Sequence, residues 1–218
     1  MSGVDEGGTV ITLDGPAASG KSSVARRVAR RLGVPFVSSG LLYRAAAWVV
    51  GRMRADAGDE GAVLALLRER RVRLEPSLRG DRVWVDTTDV TNELHTDEVD
   101  AIVSTVAAHP RVRAWVCDRL REIPGSFVID GRDMGKVVFP EARFKFYLTA
   151  PVEVRAKRRV GERSADLEAV KEAIRRRDRL DERQLAPAED AVHIDTGSLT
   201  LEEVVDAVLR RLAGVGAP

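Results

Sequence analysis

The sequence is poor in the residues that build disulfides and zinc sites. Its 218 residues include a single cysteine, Cys117, and three histidines. One cysteine excludes an internal disulfide, and its helical-looking surroundings, RAWVCDRL, favour a buried apolar role. The histidines are too widely separated for a zinc-ligand pattern. The sequence therefore favours a protein of a reducing compartment, with neither a disulfide framework nor a structural zinc.

Long apolar runs are also missing. No stretch approaches the roughly 18 apolar residues of a membrane-spanning helix. The first residues, MSGVDEGG, have neither the basic nor the apolar region of a signal peptide. We therefore expect a cytoplasmic protein that makes no membrane contact.

The charges of the chain nearly cancel. Lysine and arginine number 35 against 34 aspartate and glutamate, a formal net charge of +1. Such a balance gives no global attraction to nucleic acid, and we find no basic patch interleaved with aromatic residues. A hydrophobic fraction of 44% is enough to bury a core. We expect a globular monomer without a nucleic-acid partner.

Strand-like and helix-like patterns alternate along the chain. Apolar runs at 9–13, 34–37, 126–130, 143–149 and 191–195 predict strands, and helical periodicity lies between them. This alternation is typical of an α/β protein with a parallel sheet flanked by helices in three layers. Segment 72–91 instead reads as a β-hairpin, which predicts a small insert within the α/β chain.

The stretch GPAASGKS has the spacing of a phosphate-binding P-loop, with Gly15, Gly20, Lys21 and Ser22 at its four defining positions. It follows a strand and precedes a helix, so backbone N–H groups and the helix N-terminus can face phosphate oxygens. Lys21 should reach the β- and γ-phosphates of ATP, and Ser22 should ligate Mg²⁺. The expected ATP-binding residues are Gly15, Pro16, Ala17, Ala18, Ser19, Gly20, Lys21, Ser22 and Ser23.

Charged residues at other predicted strand ends indicate a second anionic ligand. IDGRDMG places Arg132 between Asp130 and Asp133, and Arg44 follows the second strand. One carboxylate could steer Mg²⁺ through water, the other could accept from a base or sugar, and Arg132 could bind phosphate. A guanine-reading N-K-x-D motif is missing, which argues against a GTPase. The motifs therefore favour a kinase with a phosphorylated acceptor.

Together, these stretches resemble bacterial cytidylate kinases. The similarity runs from about residue 9 to 212, and its most specific parts are IDGRDMGKVVFPEA and the R-D-x-x-D pattern in RRDRLDER. It also covers SSGLLYR, DVTNELHTDEV, VSTVAAHPRVR, KFYLTAP and APAEDAVHIDT. The resemblance implies transfer of the γ-phosphoryl group of ATP to CMP or dCMP, with Mg²⁺.

The same resemblance implies how the chain is divided. It suggests a P-loop kinase core at 9–37 and 106–212 and a small α/β nucleoside-monophosphate-binding insert at 38–105. A short lid would lie at 155–166, within the core, and we expect flexible tails at 1–8 and 213–218.

The resemblance also assigns roles to individual residues. Those expected to bind CMP are Ser39, Arg44, Ser104, Arg113, Asp130, Arg132, Asp133, Arg177, Asp181 and Arg183. Arg44 and Arg132 would hold the acceptor phosphate, and Arg113 with Asp133 would read cytosine. Lys21, Arg132, Arg158 and Arg159 would be the catalytic residues, with Ser22 on Mg²⁺ and Asp130 reaching the ion through water. Taken alone, Arg177 and Asp181 also fit a surface i, i+4 pair.

Several positions depart from the family pattern. Lys136 stands where threonine is expected, His95 where arginine is usual, and Ala17 where some relatives have serine. The spacing between Asp181 and Arg183 is one residue short. Other readings of the chain are a P-loop kinase acting on UMP, dTMP or shikimate, a non-catalytic ATP-sensing regulator, and a nucleic-acid-binding ATPase.

Overall fold

The computed structural model describes residues 8–162, 166–181 and 185–214. The predicted tails lie outside this range, apart from Gly8 at one end and Ala213 and Gly214 at the other. Chain contacts divide the protein into a core unit, residues 1–36 and 125–218, and an insert unit, residues 37–124.

The core unit is built on a parallel five-stranded sheet flanked by helices. Its strands are β1 (Val10–Asp14), β2 (Phe36–Ser38), β6 (Phe127–Gly131), β7 (Phe144–Thr149) and β8 (Val192–Asp195), in the order β2-β6-β1-β7-β8. Strand β2 runs across the boundary between the units. The helices are α1 (Lys21–Leu32), α6 (Val152–Glu162), α7 (Leu167–Asp181) and α8 (Leu201–Ala213). The predicted α/β fold is confirmed.

The register of the central strands brings their carboxyl ends together. Asp14, the last residue of β1, is aligned with Gly131 on β6 and with Tyr147 on β7. The middle of the sheet is apolar, because Leu13, Phe146 and Leu148 are almost fully buried there. Ligand-binding residues of such a sheet collect beyond its carboxyl ends.

Local signals in the sequence explain the limits of the core helices. Helix α1 begins after Gly20 and ends before Gly33, and both glycines have the left-handed backbone that favours glycine. Its apolar stripe packs against α8 in the buried core. Helix α8 begins with the predicted capping box, in which Thr200 and Glu203 exchange hydrogen bonds.

The insert unit combines helices with a small antiparallel sheet. Its helices are α2 (Gly40–Arg52), α3 (Glu60–Glu69), α4 (Asp97–Ala108) and α5 (Pro110–Arg121), and its strands are β3 (Val72–Glu75), β4 (Arg82–Val85) and β5 (Thr88–Asp89). Strands β3 and β4 pair antiparallel, as the predicted hairpin requires. Pro110 starts α5, where its missing N–H costs nothing.

The second boundary of the insert differs from the sequence-based expectation. The family resemblance ends the insert at residue 105, whereas the contacts of the chain group residues 37–124 into one unit. Helix α5 packs on α3, α4 and β3, so it belongs to the insert unit. Within the described part of the chain, no helix is both long and apolar enough to cross a membrane.

Candidate active site

The phosphate loop joins the end of β1 to the start of α1. Gly15 has a φ of +148°, and a Cβ at this position would lie 2.2 Å from the carbonyl oxygen of Leu148. Glycine is therefore required for the loop to pass this close to β7. Ala18 also adopts a positive φ, 58°, which is uncommon for a residue with a side chain. The loop is held in a conformation that turns its backbone sharply into the helix.

Lys21, the first residue of α1, folds back over this loop. Its Nζ donates to the carbonyl oxygen of Pro16 at 3.2 Å. Burial and, to a smaller extent, the nearby positive charge of Arg132 lower the pKa of Lys21 to about 8, against the opposing effect of Asp130 and Asp14. Among the described residues the hydrogen bond of Lys21 Nζ goes to a neutral carbonyl, so the buried ammonium is suited to bind a phosphate.

Two carboxylates lie at the carboxyl ends of the adjacent strands. Ser22 Oγ donates to the carboxylate of Asp130, so the two predicted Mg²⁺-binding residues are in contact. Asp14 accepts from the backbone N–H groups of Met134 and Gly135 at 2.9 and 2.8 Å. Burial nevertheless raises the pKa of Asp14 to about 6. Through its two hydrogen bonds, Asp14 joins the turn that follows β6 to β1, the strand that leads into the phosphate loop.

Arg132 connects the phosphate loop to helix α7. Its Nη1 donates to the carbonyl oxygen of Gly15 at 3.2 Å, and its Nη2 lies 3.0 Å from a carboxylate oxygen of Asp181. Arg177 donates to the same oxygen at 3.1 Å. The structure therefore brings Arg132, Arg177 and Asp181 into one cluster. Burial lowers the pKa of Arg132, although its guanidinium stays protonated at any working pH.

Arg158 projects from α6 towards the other side of the loop. Its Nη1 donates to the hydroxyl of Thr196 at 3.0 Å and to the carbonyl oxygen of Ser19 at 3.3 Å. Its Nη2 donates to the carbonyl oxygen of Thr196 at 2.6 Å. Arg159 is the more exposed of the two neighbours, and both line the same cavity. The structure thus places both predicted lid arginines beside the phosphate loop.

A cavity of about 990 Å³ opens above the loop in the core unit. Its polar wall contains the loop residues from Ala17 to Ser23 together with Arg132, Arg158, Arg159 and Arg177. Its apolar wall contains Val170, Ala173 and Ile174 of α7, and Leu199, Leu201 and Val204 near the start of α8. The volume is sufficient for a nucleotide, and the lining offers both cations and apolar side chains to it.

The apolar wall was missed in the sequence analysis. Its residues come from two separate segments of the chain, and those on α7 and α8 are indistinguishable in the sequence from ordinary core-facing helix positions. Thr196 was also missed, although its buried hydroxyl donates to the carbonyl oxygen of Thr149 at 3.0 Å and receives Arg158. The only signal available was its place just after strand β8, at the carboxyl edge of the sheet.

The remaining predicted site residues of the core unit differ in surroundings. Asp133 is buried at the start of a π-helical turn, Met134–Val138, and Val137 N–H donates to its carbonyl oxygen at 2.8 Å. Lys136, one of the departures from the family pattern, is exposed on this turn. Arg183 and residues 163–165 of the predicted lid lie outside the described residues.

Within the insert unit, Arg44 is the best-defined of the predicted site residues. Its Nη1 donates to the carbonyl oxygen of Leu94 at 2.9 Å and pairs with Asp100 at 2.7 Å. The remaining three lie on different elements of this unit. Ser39 is buried just before α2, Ser104 is exposed on α4, and the guanidinium of Arg113 on α5 lies 5.6 Å from the ring centre of Tyr43.

Comparisons with known proteins agree on one family. The family model described as "Cytidylate kinase" matches residues 11–213. The chain is 57% identical to a cytidylate kinase of Thermus thermophilus, over 93% of this chain and 98% of that protein. It is 56% identical to a cytidylate kinase of Deinococcus deserti, again over 93% and 98%.

A solved structure adds a likeness of fold. An uncharacterized protein from Eubacterium ventriosum superposes with a TM-score of 0.51 at 12% identity, covering 94% of this chain and 98% of that one. At this identity the likeness extends to the fold alone.

Proposed function

The chain belongs to the cytidylate kinase family, and from this premise we propose how its residues phosphorylate their substrate. The enzyme transfers the γ-phosphoryl group of ATP to CMP or dCMP, which gives ADP and the nucleoside diphosphate. The observation that carries the proposed mechanism is the cluster beside the phosphate loop. Arg132 lies there between the loop carbonyl of Gly15 and the carboxylate of Asp181.

We propose that the loop and the cavity above it hold ATP. Lys21 and the loop N–H groups bind the β- and γ-phosphates, and the apolar wall contacts the rest of the nucleotide. Arg158 and Arg159 line the same cavity, where they balance charge on the phosphoryl group during transfer.

The residues present fit a magnesium ion. The hydroxyl of Ser22 contacts the carboxylate of Asp130 at the start of α1. Both groups offer oxygen atoms, the kind of ligand that Mg²⁺ prefers. We propose that Ser22 ligates the ion and Asp130 holds one of its waters. When bound, Mg²⁺ neutralises part of the phosphate charge. Lys21 and Arg132 supply the protein's own share of that neutralisation.

The reaction needs positioning more than proton transfer. An oxygen of the CMP phosphate forms the new bond to the γ-phosphorus, and the bond from that phosphorus to the β–γ bridging oxygen breaks. The acceptor phosphate has a second pKa of about 6, so it is already ionised at neutral pH and needs no general base. Two anions must nevertheless meet in line. The described arginines of the core unit overcome this repulsion and fix the geometry.

On the acceptor side we propose roles for residues of the core unit. Arg132 binds the CMP phosphate, and Arg177 and Asp181 of α7 contact the nucleotide beside it. Asp133 accepts a hydrogen bond from the amino group of cytosine. Uracil has a carbonyl at that position, and the mismatch would cost on the order of a few kcal/mol in a buried site. The acceptor roles of Ser39, Arg44, Ser104, Arg113 and Arg183 stay predictions of the family resemblance.

Product analysis with Mg·ATP and a panel of acceptors tests the proposal. The panel contains CMP, dCMP, UMP, dTMP, AMP, shikimate and no acceptor. We expect CMP and dCMP to be converted to diphosphates while UMP and the others lag by orders of magnitude. Equal conversion of UMP and CMP would contradict the role of Asp133. ATP consumption that does not depend on an acceptor would contradict the kinase mechanism as a whole.

A pair of matched variants tests the phosphate role of Arg132. Arg132→Ala is expected to lower kcat/KM for CMP by at least about a hundredfold, because it removes a cation that balances the meeting anions. Arg175→Ala is the control, since Arg175 is exposed on α7 and, among the contacts of the described residues, pairs only with Glu172. Near wild-type turnover in Arg132→Ala would refute the assignment. That the enzyme works as a cytoplasmic monomer, without nucleic acid, stays a prediction.

A further inference from the structure

Arg155 differs from the other arginines of α6 because its guanidinium is almost completely buried. Only 8% of the side chain is exposed. Its Nε donates to the carbonyl oxygen of Ala150 at 3.0 Å, and its Nη1 donates to the carbonyl oxygen of Ala17 at 3.0 Å. Ala17 belongs to the phosphate loop, so Arg155 ties the base of α6 to that loop.

The opposite edge of the same guanidinium binds helix α7. Nη1 and Nη2 lie 3.2 and 2.7 Å from the two carboxylate oxygens of Asp178, in a bidentate pair. Asp178 lies three residues before Asp181 and therefore on the same face of α7, one turn earlier. Arg132 joins Asp181 to the loop carbonyl of Gly15 in the same manner. Two arginines thus each bridge a loop carbonyl to an α7 carboxylate.

Only arginine can make the Arg155 bridge. Its planar fork carries enough donors, in fixed directions, to reach two carbonyls and a carboxylate together. A lysine ammonium would keep the charge but could not span all three acceptors from one position. The described wall of the cavity includes Arg158 and Arg159 but not Arg155. Arg155 is therefore placed to act through the loop and α7 and not on a phosphate directly.

We infer that Arg155 is a positioning residue that couples the ATP-binding loop to the acceptor-binding face of α7. The inference rests on the proposed roles of Arg177 and Asp181 at the acceptor. When bound ATP restricts the motion of the loop, the carbonyl of Ala17 is held in place. Arg155, which is hydrogen-bonded to this carbonyl, is then held in place too, and so is its partner Asp178. The next turn of α7, which carries Arg177 and Asp181, is then set before CMP arrives. Each ligand strengthens the binding of the other, and by linkage the factor is the same in both directions.

Calorimetric titration measures this factor directly. The Kd of CMP is determined with and without a saturating, non-hydrolysable β,γ-imido analogue of ATP, in the presence of Mg²⁺. For the wild type we expect the analogue to tighten CMP binding at least about fivefold, the lower end of common coupling factors. In Arg155→Lys the factor is expected to fall close to one. In the absence of the analogue, the Kd of CMP should be the same for Arg155→Lys and the wild type, because Arg155 makes no contact with CMP.

Two further variants separate coupling from simple stabilisation. Arg179→Lys is the matched control, because Arg179 lies exposed on the same helix and pairs only with Glu172 among the described contacts; its factor should equal that of the wild type. Asp178→Asn breaks the carboxylate arm while leaving Arg155 on the loop, and it replaces Arg155→Lys if that variant does not fold. In each case the melting temperature is measured alongside the factor.

The outcomes distinguish this inference from the proposed function. A wild-type factor of one, or a factor unchanged in a folded Arg155→Lys or Asp178→Asn, overturns the coupling role and leaves Arg155 a structural ion pair. A factor lost equally in Arg179→Lys overturns it too. Turnover of CMP by the wild-type preparation is measured separately, and failure there contradicts the proposed function itself.

Discussion

Raising the pH above 8 is expected to discharge Lys21 and weaken the encounter of the free enzyme with ATP. An ordinary lysine keeps its proton to well above pH 9, whereas the structure lowers the pKa of Lys21 to about 8. Burial is the main cause and the positive charge of Arg132 comes second, against the carboxylates of Asp130, Asp14 and Asp181. The neutral form of Lys21 therefore becomes populated within an accessible pH range.

The size of the effect follows from the pKa. With a value of about 8, roughly nine tenths of the molecules carry a charged Lys21 at pH 7 and about one tenth at pH 9. If only the charged form captures ATP, kcat/KM for ATP should fall about tenfold across this interval. A lysine with its ordinary pKa of about 10.4 would lose only a few per cent of its charge by pH 9.

The assay is the pH dependence of kcat/KM for Mg·ATP at a fixed CMP concentration far below the KM of CMP, followed through ADP release from pH 6.5 to pH 10, so that the enzyme is free of both substrates. This ratio reports groups of the enzyme before ATP binds. The acceptor phosphate, with a second pKa of about 6, stays ionised throughout the interval of interest. The break in kcat itself should lie at higher pH, because the phosphates of bound ATP stabilise the charged lysine.

Lys21→Arg provides the control, because arginine stays charged over the whole range. Its kcat/KM is expected to be lower than that of the wild type but level from pH 7 to pH 10. A wild-type profile that stays level beyond pH 9.5 would refute the lowered pKa. The same break in Lys21→Arg would show that another group titrates.

Three other changes have defined outcomes. Asp130→Asn should raise the Mg²⁺ concentration that gives half-maximal rate about tenfold or more, because losing a carboxylate that orients a metal ligand commonly weakens metal binding by that much. An unchanged magnesium titration would contradict the role of Asp130. Gly15→Ala should abolish measurable ATP binding, because its Cβ would lie 2.2 Å from the Leu148 carbonyl; Gly33→Ala, in open space, should keep binding and cost about 1 kcal/mol of stability. Thr200→Ala should lower the free energy of unfolding by about 1 kcal/mol in urea denaturation, and an unchanged midpoint would exclude the capping role.

Much of the core unit could be predicted from the sequence because its signals are local. Apolar runs marked the strands, Gly20 and Gly33 marked the ends of α1, and the spacing of the phosphate loop identified Lys21 and Ser22. The structure adds the contact between Ser22 and Asp130, which the motif alone left open.

The features that escaped prediction depend on contacts between distant segments. Arg155 reads like its neighbours in a basic helix, and only packing shows that it alone is buried between the loop and Asp178. The apolar wall of the cavity is assembled from α7 and α8 by tertiary contact. Helix α5 has no sequence mark that assigns it to the insert unit, because that assignment rests on its packing against α3 and α4.

The place of the insert in the chain has an evolutionary consequence. Strands β2 and β6 are neighbours in the parallel sheet, and residues 39–126, which include most of the insert unit, connect one to the other. A connection between adjacent parallel strands needs only about a dozen residues, usually one helix. The insert is thus an enlarged crossover connection. A single recombination event could exchange this connecting segment without shifting the register of any core strand. Related proteins with this fold could therefore differ in the whole β2–β6 connection while keeping the same phosphate loop.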